Sequence, residues 1–316
     1  MASHRTSPVS AVQPELSSLQ RGIRPRAHLG TSQAADRKTQ APQSNQGEAG
    51  LSTNPHSTSE FERIATVNTV LRGQVGSGLH GVTTGDDDRD EMGVCLEPPE
   101  YVIGNASFEQ YIYRTQPEGV RSGAGDLDLV IYSLRKWARL AAQGNPTVLL
   151  LMFIPPQEIV SINDVGHDIQ AHPERFLSRE AAHRFLGYLN AQKERMLGLR
   201  SQRTNRPELI EKYSWDTKYG YHMIRLGLQG VELLTTGRIT LPMPEPERNW
   251  LIDLRNGKYT KEDALGVVDG LSAQLRALSV TADLPAKPDL PAIDRWLTDT
   301  YRQWWETNNL LGGSNG

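Results

Sequence analysis

Residues 127–132 alternate in the way of a half-buried strand. Leu127, Leu129 and Ile131 fall on one side, and Asp128, Val130 and Tyr132 on the other. A carboxylate between two leucines is costly in a sheet unless it has a partner or a task. Ser133 then reads as a helix N-cap, and Leu134, Trp137, Leu140 and Ala141 form the apolar face of that helix. Gly144 and Asn145–Pro146 stop it. The apolar run 147–153, closed by Pro155–Pro156, reads as a buried central strand. Upstream, Ile64, Val67, Val70 and Leu71 recur at helical spacing, and residues 92–96 read as the end of a strand. The remainder reads helical: 178–199 with Phe185, Leu189 and Met196 on one face, 218–234 stopped by Gly237, and 261–278. A connector stiffened by Pro285, Pro288 and Pro291 leads to a last amphipathic helix with Ile293, Trp296, Leu297, Trp304 and Trp305. The expected fold is α/β (α+β): a small mixed-sheet domain over 59–160, then a helical domain over 161–316.

Composition separates one further segment. The chain has 316 residues, of which 37% are hydrophobic, a low share for a globular protein. The deficit is concentrated in residues 1–58, which are rich in Ser, Gln, Thr, Ala, Pro and Gly, and no aromatic residue precedes Phe61. Such a segment buries too little apolar surface to offset chain entropy, so a disordered tail is expected there. Its Arg5, Arg21, Arg24, Arg26, Arg37 and Lys38 outnumber Glu15, Asp36 and Glu48, a pattern shared with organelle transit peptides. With an overall net charge of −3, the rest of the chain is acidic, which disfavours bulk coating of nucleic acid but not a local basic site. Cys95 is the only cysteine, which excludes an internal disulfide framework and a multi-cysteine metal site. The eight histidines are scattered without zinc-ligand spacing. The longest apolar run, 148–155, falls short of the roughly 18 residues of a membrane span, so a soluble, reducing compartment is the expectation, with no membrane or disulfide-linked partner.

The chemistry is concentrated in residues 76–94. Gly76-Ser77 forms a turn, residues 78–87 follow, and then come Asp88 and Asp90. In a strand, residues i and i+2 point to the same face, so these carboxylates converge while Arg89 and Glu91 point away and can pair with each other. Two converging like charges repel unless neutralised, and a divalent cation is the usual answer. Asp128 completes a three-carboxylate site if its strand neighbours the first. Such a site suits two magnesium ions and in-line phosphoryl chemistry. Asp86 and Asp87 leave the register of the pair open, and Asp126 shares the parity of Asp128. Asp128 is favoured as third ligand because Leu127 and Leu129 flank it.

The arrangement Gly-Ser, about ten residues, Asp-x-Asp and a later Asp in an apolar strand resembles the DNA polymerase β-like nucleotidyltransferase superfamily. Further blocks are similar to nucleotidyltransferases of bacteria and their phages: Tyr132-Ser133-Leu134-Arg135-Lys136-Trp137, Gly144-Asn145-Pro146-Thr147-Val148-Leu149, Phe185-Leu186-Gly187-Tyr188 with Gln192, and residues 218–226. The form Asp88-Arg89-Asp90-Glu91-Met92-Gly93-Val94 resembles actinobacterial and phage members most, although Arg89 stands where many members carry an apolar residue. The resemblance implies that Gly76 and Ser77 hold a nucleoside triphosphate and that Asp88, Asp90 and Asp128 ligate Mg2+ or Mn2+. It also implies that Asp128 favours deprotonation of an acceptor hydroxyl. The implied reaction moves a nucleoside monophosphate from an NTP to a hydroxyl and releases pyrophosphate. The acceptor is open among a small molecule, a tRNA end, another nucleic acid and a protein side chain. The implied setting is cytoplasmic, or the host cytoplasm for a phage-encoded chain.

Other residues carry two readings. Lys218 and Arg225, with His222 between them, share a helix face that either binds triphosphate or acceptor, or is merely solvated. Tyr188, Gln192 and Lys193 have the same ambiguity. His80 either touches phosphate or is a plain loop histidine. Cys95 reads as a buried strand residue, Arg135, Lys136 and Arg139 as a wet helix face, and Trp304–Trp305 as core rather than a stacking platform. A catalytically inactive nucleotide-binding regulatory module is the alternative function, and a kinase-like transfer of the terminal phosphate is a third. Convergence of Asp88, Asp90 and Asp128 separates an enzyme from a binding module.

Overall fold

The computed structural model describes residues 54–83, 85, 87–117, 119–200 and 206–311. The disorder expected for 1–58 therefore lies outside the described residues as far as 53. Residues 54–58 already join the fold: Ile112 N–H donates to the His56 carbonyl, and Ser57 Oγ donates to the Ile112 carbonyl. Thr58 accepts from the N–H of Phe61 and caps α1, Ser59–Val67.

Five strands form one sheet: β1 Thr69–Val75, β2 Arg89–Cys95, β3 Gln110–Arg114, β4 Leu127–Ser133 and β5 Ile159–Ile162. Their spatial order is β3-β4-β2-β1-β5, with β2 and β4 parallel and the other pairs antiparallel. The mixed α/β expectation holds. One face of the sheet carries Cys95, Leu129, Ile131 and Tyr111 against Ile64 and Ala65 of α1. The other face carries Leu71, Met92 and Val94 into the main core, which runs on through Trp137, the helices and Trp305.

Helical spacing misplaced one boundary. Val70 and Leu71 lie in β1, not in the helix, and Val67 at the helix end is 72% exposed. The run 147–153 is a second correction: Val148–Phe153 is a 3-10 helix with every residue buried. Apolarity on all sides cannot tell a buried strand from a buried helical turn. Here β1 already has β2 and β5 as neighbours. Side chains take the carbonyls that a strand would have shared: Trp137 Nε1 donates to Val148 at 3.1 Å, and Gln170 Nε2 donates to Leu151 and Ile154, both at 3.1 Å.

Short α2 spans Gly76–His80 and α3 Pro99–Val102; α4, Leu134–Ala142, is capped by Ser133 as expected. Then follow α5 Asp164–Ala171, α6 Ala181–Met196, α7 Pro207–Tyr213, α8 Thr217–Thr236, α9 Glu245–Arg255, α10 Lys261–Thr281 and α11 Leu290–Thr307. Helix α8 is the axis of this layer and packs against α6, α9 and α10. A Cβ at Gly230 would stand 2.8 Å from Phe185 and 2.9 Å from Leu275, so glycine sets how closely three helices approach. Helix α11 returns to the sheet: Tyr301 donates to Glu97 Oε2 at 2.6 Å and Trp305 Nε1 donates to the Glu97 carbonyl at 3.0 Å. Trp305 is therefore core, as expected. No helix among the described residues is long and apolar enough to cross a membrane. The sole cysteine, Cys95, is buried in β2.

A chain beginning at residue 59 loses the Thr58 cap and the backbone bonds of residues 56–57. Relative to a chain beginning at 54, it should be less stable by about 2 kcal/mol, or about 5 °C in Tm. Equal melting curves would show that residues 54–58 only rest on β3.

Candidate active site

The site is built on one row across the sheet. Val75 pairs with Asp90, Asp90 with Asp128, and Asp128 with Arg114. The chain leaves β1 at Gly76 with φ +73, and a Cβ there would lie 2.1 Å from Asp90 Oδ2. Only glycine both adopts that backbone without strain and leaves Asp90 its place. Ser77 follows in α2, with its carbonyl accepting from the Val82 N–H at 3.0 Å.

Asp88 lies just before β2 and Asp90 within it. Carboxylate oxygens of Asp88, Asp90 and Asp128 lie within 4.8 Å of one another. Burial, then the neighbouring Asp88 and Asp128 charges, push the Asp90 carboxyl up to about 6, against the opposing pull of Lys218. Glu91 points the other way and is 3% exposed, paired with Arg72 at 2.5 Å and Arg89 at 2.6 Å. An all-oxygen carboxylate set with excess negative charge fits a hard divalent cation such as Mg2+ or Mn2+.

The structure separates the alternatives that the sequence left open. Asp126 belongs to the turn before β4: it accepts from Gly123 N–H at 2.9 Å, Gln116 at 2.6 Å and Thr115 at 2.8 Å, which hold its carboxyl below the usual range. Asp87 faces Arg255 at 3.3 Å. Asp86 lies outside the described residues.

Helix α8 roofs a cavity of about 460 Å³ with Lys218, Tyr221, His222 and Arg225, over a floor of Gly76, Ser77 and the three carboxylates. Lys218 occupies the first turn of α8, where a cation opposes the helix dipole. Burial and then the nearby Arg206 and Arg255 lower its pKa, while Asp88 and Asp87 raise it. His80 is no loop histidine. It is 2% exposed in α2, 2.9 Å from Arg225 Nη1 and 3.2 Å from Gln229 Nε2. Burial, then Arg225, push both His80 and His222 well below their usual value, so both are neutral at physiological pH. Arg225 also donates to Gln229 Oε1 at 2.9 Å.

Other basic candidates lie elsewhere. Tyr188 accepts from Asn145 at 2.9 Å and Lys193 pairs with Asp269 at 2.8 Å; neither they nor Gln192 line the cavity. Lys136 and Arg139 pair with Glu109, and Arg135 lies 4.0 Å from Glu97. Three arginines were not anticipated, of which Arg206 lines the cavity and pairs with Asp216 at 3.1 Å. Arg114 of β3 holds Asp128 at 2.9 Å. Arg255, at the end of α9, donates to the Val82 carbonyl and to Asp87, and its guanidinium lies 5.3 Å from the Tyr221 ring centroid. Arg255 thus ties the loop before Asp88 to the helical layer. Its signal in the sequence was only an unexplained acid beside the Asp-x-Asp pair.

Residues 54–299 match the model of the RNA repair pathway DNA polymerase beta family. The chain belongs to this family. The expected kinship with DNA polymerase β-like nucleotidyltransferases thus holds. A relative of this chain is an uncharacterized 38.9 kDa protein of Enterobacteria phage T4, 30% identical over 129 residues, or 40% of this chain. The match spans 38% of that phage protein's length. Two solved structures are also matched. One is a nucleotidyltransferase-like protein from Exiguobacterium sibiricum, with 12% identity, 77% of each chain covered and a TM-score of 0.27. The other is a spectinomycin adenyltransferase from Enterococcus faecialis, with 13% identity, 68% of this chain and 94% of the other covered, and a TM-score of 0.32.

The raised Asp90 value fixes the sign of a pH effect. The unfolded chain releases this proton near the ordinary aspartate value of 3.8, whereas the folded protein keeps it to about 6. Stability is therefore lost as pH rises through that window. Asp90→Asn should raise the Tm of metal-free protein above pH 7 by the equivalent of about 1–2 kcal/mol, discounted for partial solvent screening, and should change it little below about pH 4. A variant that melts lower than wild type at high pH would contradict the charge account. Arg255→Ala leaves Asp87 and the Val82 carbonyl without this buried cation and should cost about 3–5 kcal/mol in chemical denaturation. A loss under about 1 kcal/mol would show that the loop is held by other contacts.

Proposed function

We propose that this chain is a metal-dependent nucleotidyltransferase that moves a nucleoside monophosphate from an NTP to an acceptor hydroxyl. The observation that carries the reading is the meeting, in one cavity, of three carboxylates, the Gly76–Ser77 turn and the Lys218 and Arg225 cations. Retention of all three carboxylates favours an enzyme over an inactive binding module.

Gly76 and Ser77 hold the β- and γ-phosphates through backbone N–H groups and the Ser77 hydroxyl, at a turn where the backbone can approach closely. Lys218 and Arg225 neutralise the triphosphate from above. Asp88, Asp90 and Asp128 hold Mg2+ or Mn2+, which lends Lewis acidity and offsets charge at the transferring phosphorus. The acceptor oxygen forms its bond to the α-phosphorus as the bond from that phosphorus to the bridging oxygen breaks. Pyrophosphate departs with the bridging oxygen, and Asp128 favours loss of the hydroxyl proton. Because His80 and His222 are held neutral, the cationic work falls to Lys218 and Arg225. The sheet region 59–160 and the helical region 161–316 act as the two walls of the cleft, and a cytoplasmic setting suits the NTP supply. Membership in an RNA repair pathway family makes a nucleic-acid end the first acceptor to test.

The test uses each NTP labelled at the α- or the γ-phosphate, with magnesium and an RNA pool. Label should pass from the α position with release of pyrophosphate. Asp88→Asn and Asp128→Asn should each lower the rate at least about 10³-fold. Transfer from the γ position would make the protein a kinase, and wild-type turnover in either variant would refute the metal assignment.

A further inference from the structure

Among the described residues, the guanidinium groups around the site have acid partners except at Arg225. Arg114 pairs with Asp128, Arg206 with Asp216 and Arg255 with Asp87. The partners of Arg225 are neutral. Its Nη1 faces His80 Nε2 and Gln229 Oε1, each at 2.9 Å, and Gln229 Nε2 faces His80 Nδ1 at 3.2 Å. Gln229 lies one turn further along α8, and His80 ends the short helix that begins at Gly76 and Ser77. The three side chains therefore join the glycine turn to the roof of the cavity. Arg225 Nε is buried without a partner. Burial lowers the Arg225 pKa, against the opposing pull of Tyr221. A buried cation without an acid partner is costly, and an anion entering the cavity offsets that cost.

The three contacts cannot all be hydrogen bonds. His80 is held neutral by burial and so carries one N–H, while Arg225 has only donors. If His80 Nε2 accepts from Arg225, the imidazole proton sits on Nδ1 and meets an N–H of Gln229. If the proton sits on Nε2, it meets Arg225. Turning the Gln229 amide over moves a mismatch to the Arg225–Gln229 contact without removing it. The least costly arrangement keeps both charge-assisted bonds from Arg225. It leaves the mismatch at the neutral His80–Gln229 contact, which is the longest of the three.

We propose that His80 and Gln229 are positioning residues for Arg225, and that a triphosphate oxygen relieves their mismatch by drawing Arg225 away from His80. The inference rests on the nucleotidyl-transfer reading. Arg225 gives the N–H that pointed at His80 Nε2 to the phosphate. The imidazole then takes its Nε2–H tautomer: one proton leaves Nδ1 for solvent, one arrives at Nε2, and the charge is unchanged. Gln229 Nε2 now donates to Nδ1, and Gln229 Oε1 keeps its bond from Arg225. His80, which lines the cavity, gains a donor there. Neutral partners orient the guanidinium without competing for it, whereas a carboxylate in either place would hold it back from the triphosphate.

The probe is inorganic tripolyphosphate with magnesium, which needs neither the right base nor the acceptor, titrated into the full chain by calorimetry. Arg225→Gln should weaken binding at least about tenfold, and His80→Ala and Gln229→Ala each about fivefold. Adding either alanine to Arg225→Gln should change nothing further, because both act through that guanidinium. His80→Gln, which returns an acceptor near the Nε2 position, should recover part of the loss. Gln229→Glu keeps the shape and accepts from both Arg225 and His80 Nδ1–H. It should melt no lower than wild type yet bind the probe at least about tenfold more weakly. In nitrogen-15 spectra of the wild type, His80 should be the Nδ1–H tautomer alone and the Nε2–H tautomer with the probe bound. Wild-type affinity in the His80 and Gln229 alanine variants overturns the proposal. So do losses that add to that of Arg225→Gln, undiminished affinity in Gln229→Glu, or one unchanged His80 tautomer. Each of those results leaves nucleotidyl transfer standing if α-label still passes to an acceptor. A wild type that does not bind the probe overturns the triphosphate grip and this inference with it. The expected pattern of binding with no transfer of α-label would sustain the positioning roles and overturn the enzymatic reading.

Discussion

The parallel pairing of β2 with β4 sets Asp90 beside Asp128, and the rest of the site is arranged around that pairing. Neighbouring strands lie about 4.8 Å apart, so two carboxylates in register on one face cannot avoid each other. A slip of one residue would send Asp128 to the opposite face and bring Leu127 or Leu129 over the cavity. The register is secured by what lies behind it. Leu129 and Ile131 are buried against α1, while Glu91 satisfies Arg72 and Arg89 on that same rear face. The apolar side of each strand thereby fixes where its charged side points.

Concentrated negative charge must be offset, and the chain does so from three directions. Lys218 approaches from the first turn of α8, Arg114 from β3, and Arg255 from α9 through Asp87. None fully neutralises Asp90, whose carboxyl remains raised to about 6. Like charge is thus concentrated at the place where a divalent cation would bind, in keeping with the tendency of perturbed groups to gather at functional sites. Two of the three cations come from the helical layer. Assembly of the site therefore depends on docking of α8 and α9 as well as on the sheet, and the return of α11 to Glu97 ties the far end of the chain to the same β2 segment.

Much of this was legible in residues 76–133. The alternation of 127–132, the Ser133 cap, the Gly76–Ser77 turn and the i, i+2 carboxylates each reflect local rules that context did not override. The seven-residue interval between Lys218 and Arg225 placed them on one face, and both line the cavity. What stayed hidden depended on partners distant in the chain. The run at 148–153 reads equally as strand or turn because its carbonyls are satisfied by Trp137 and Gln170, which no local pattern reveals. Strand β5 is short and only partly buried, and α9 is masked in sequence by Pro242, Pro244 and Pro246. Asp126 and Asp128 share parity, and only the turn at Gly123 separates them. The partners of Arg114 and Arg255 lie across strands or 168 residues away, beyond any spacing argument.

The central claim is that Asp88, Asp90 and Asp128 form one divalent-cation centre facing a triphosphate held at Gly76–Ser77. Anomalous diffraction from crystals grown with Mn2+ and a non-hydrolysable NTP analogue tests it most directly. The account predicts manganese peaks bonded to all three carboxylates at about 2.0–2.2 Å, the range of hard divalent ions of this size, with the phosphates against the Gly76–Ser77 turn. Manganese bound elsewhere, or a triphosphate seated away from that turn, would contradict it.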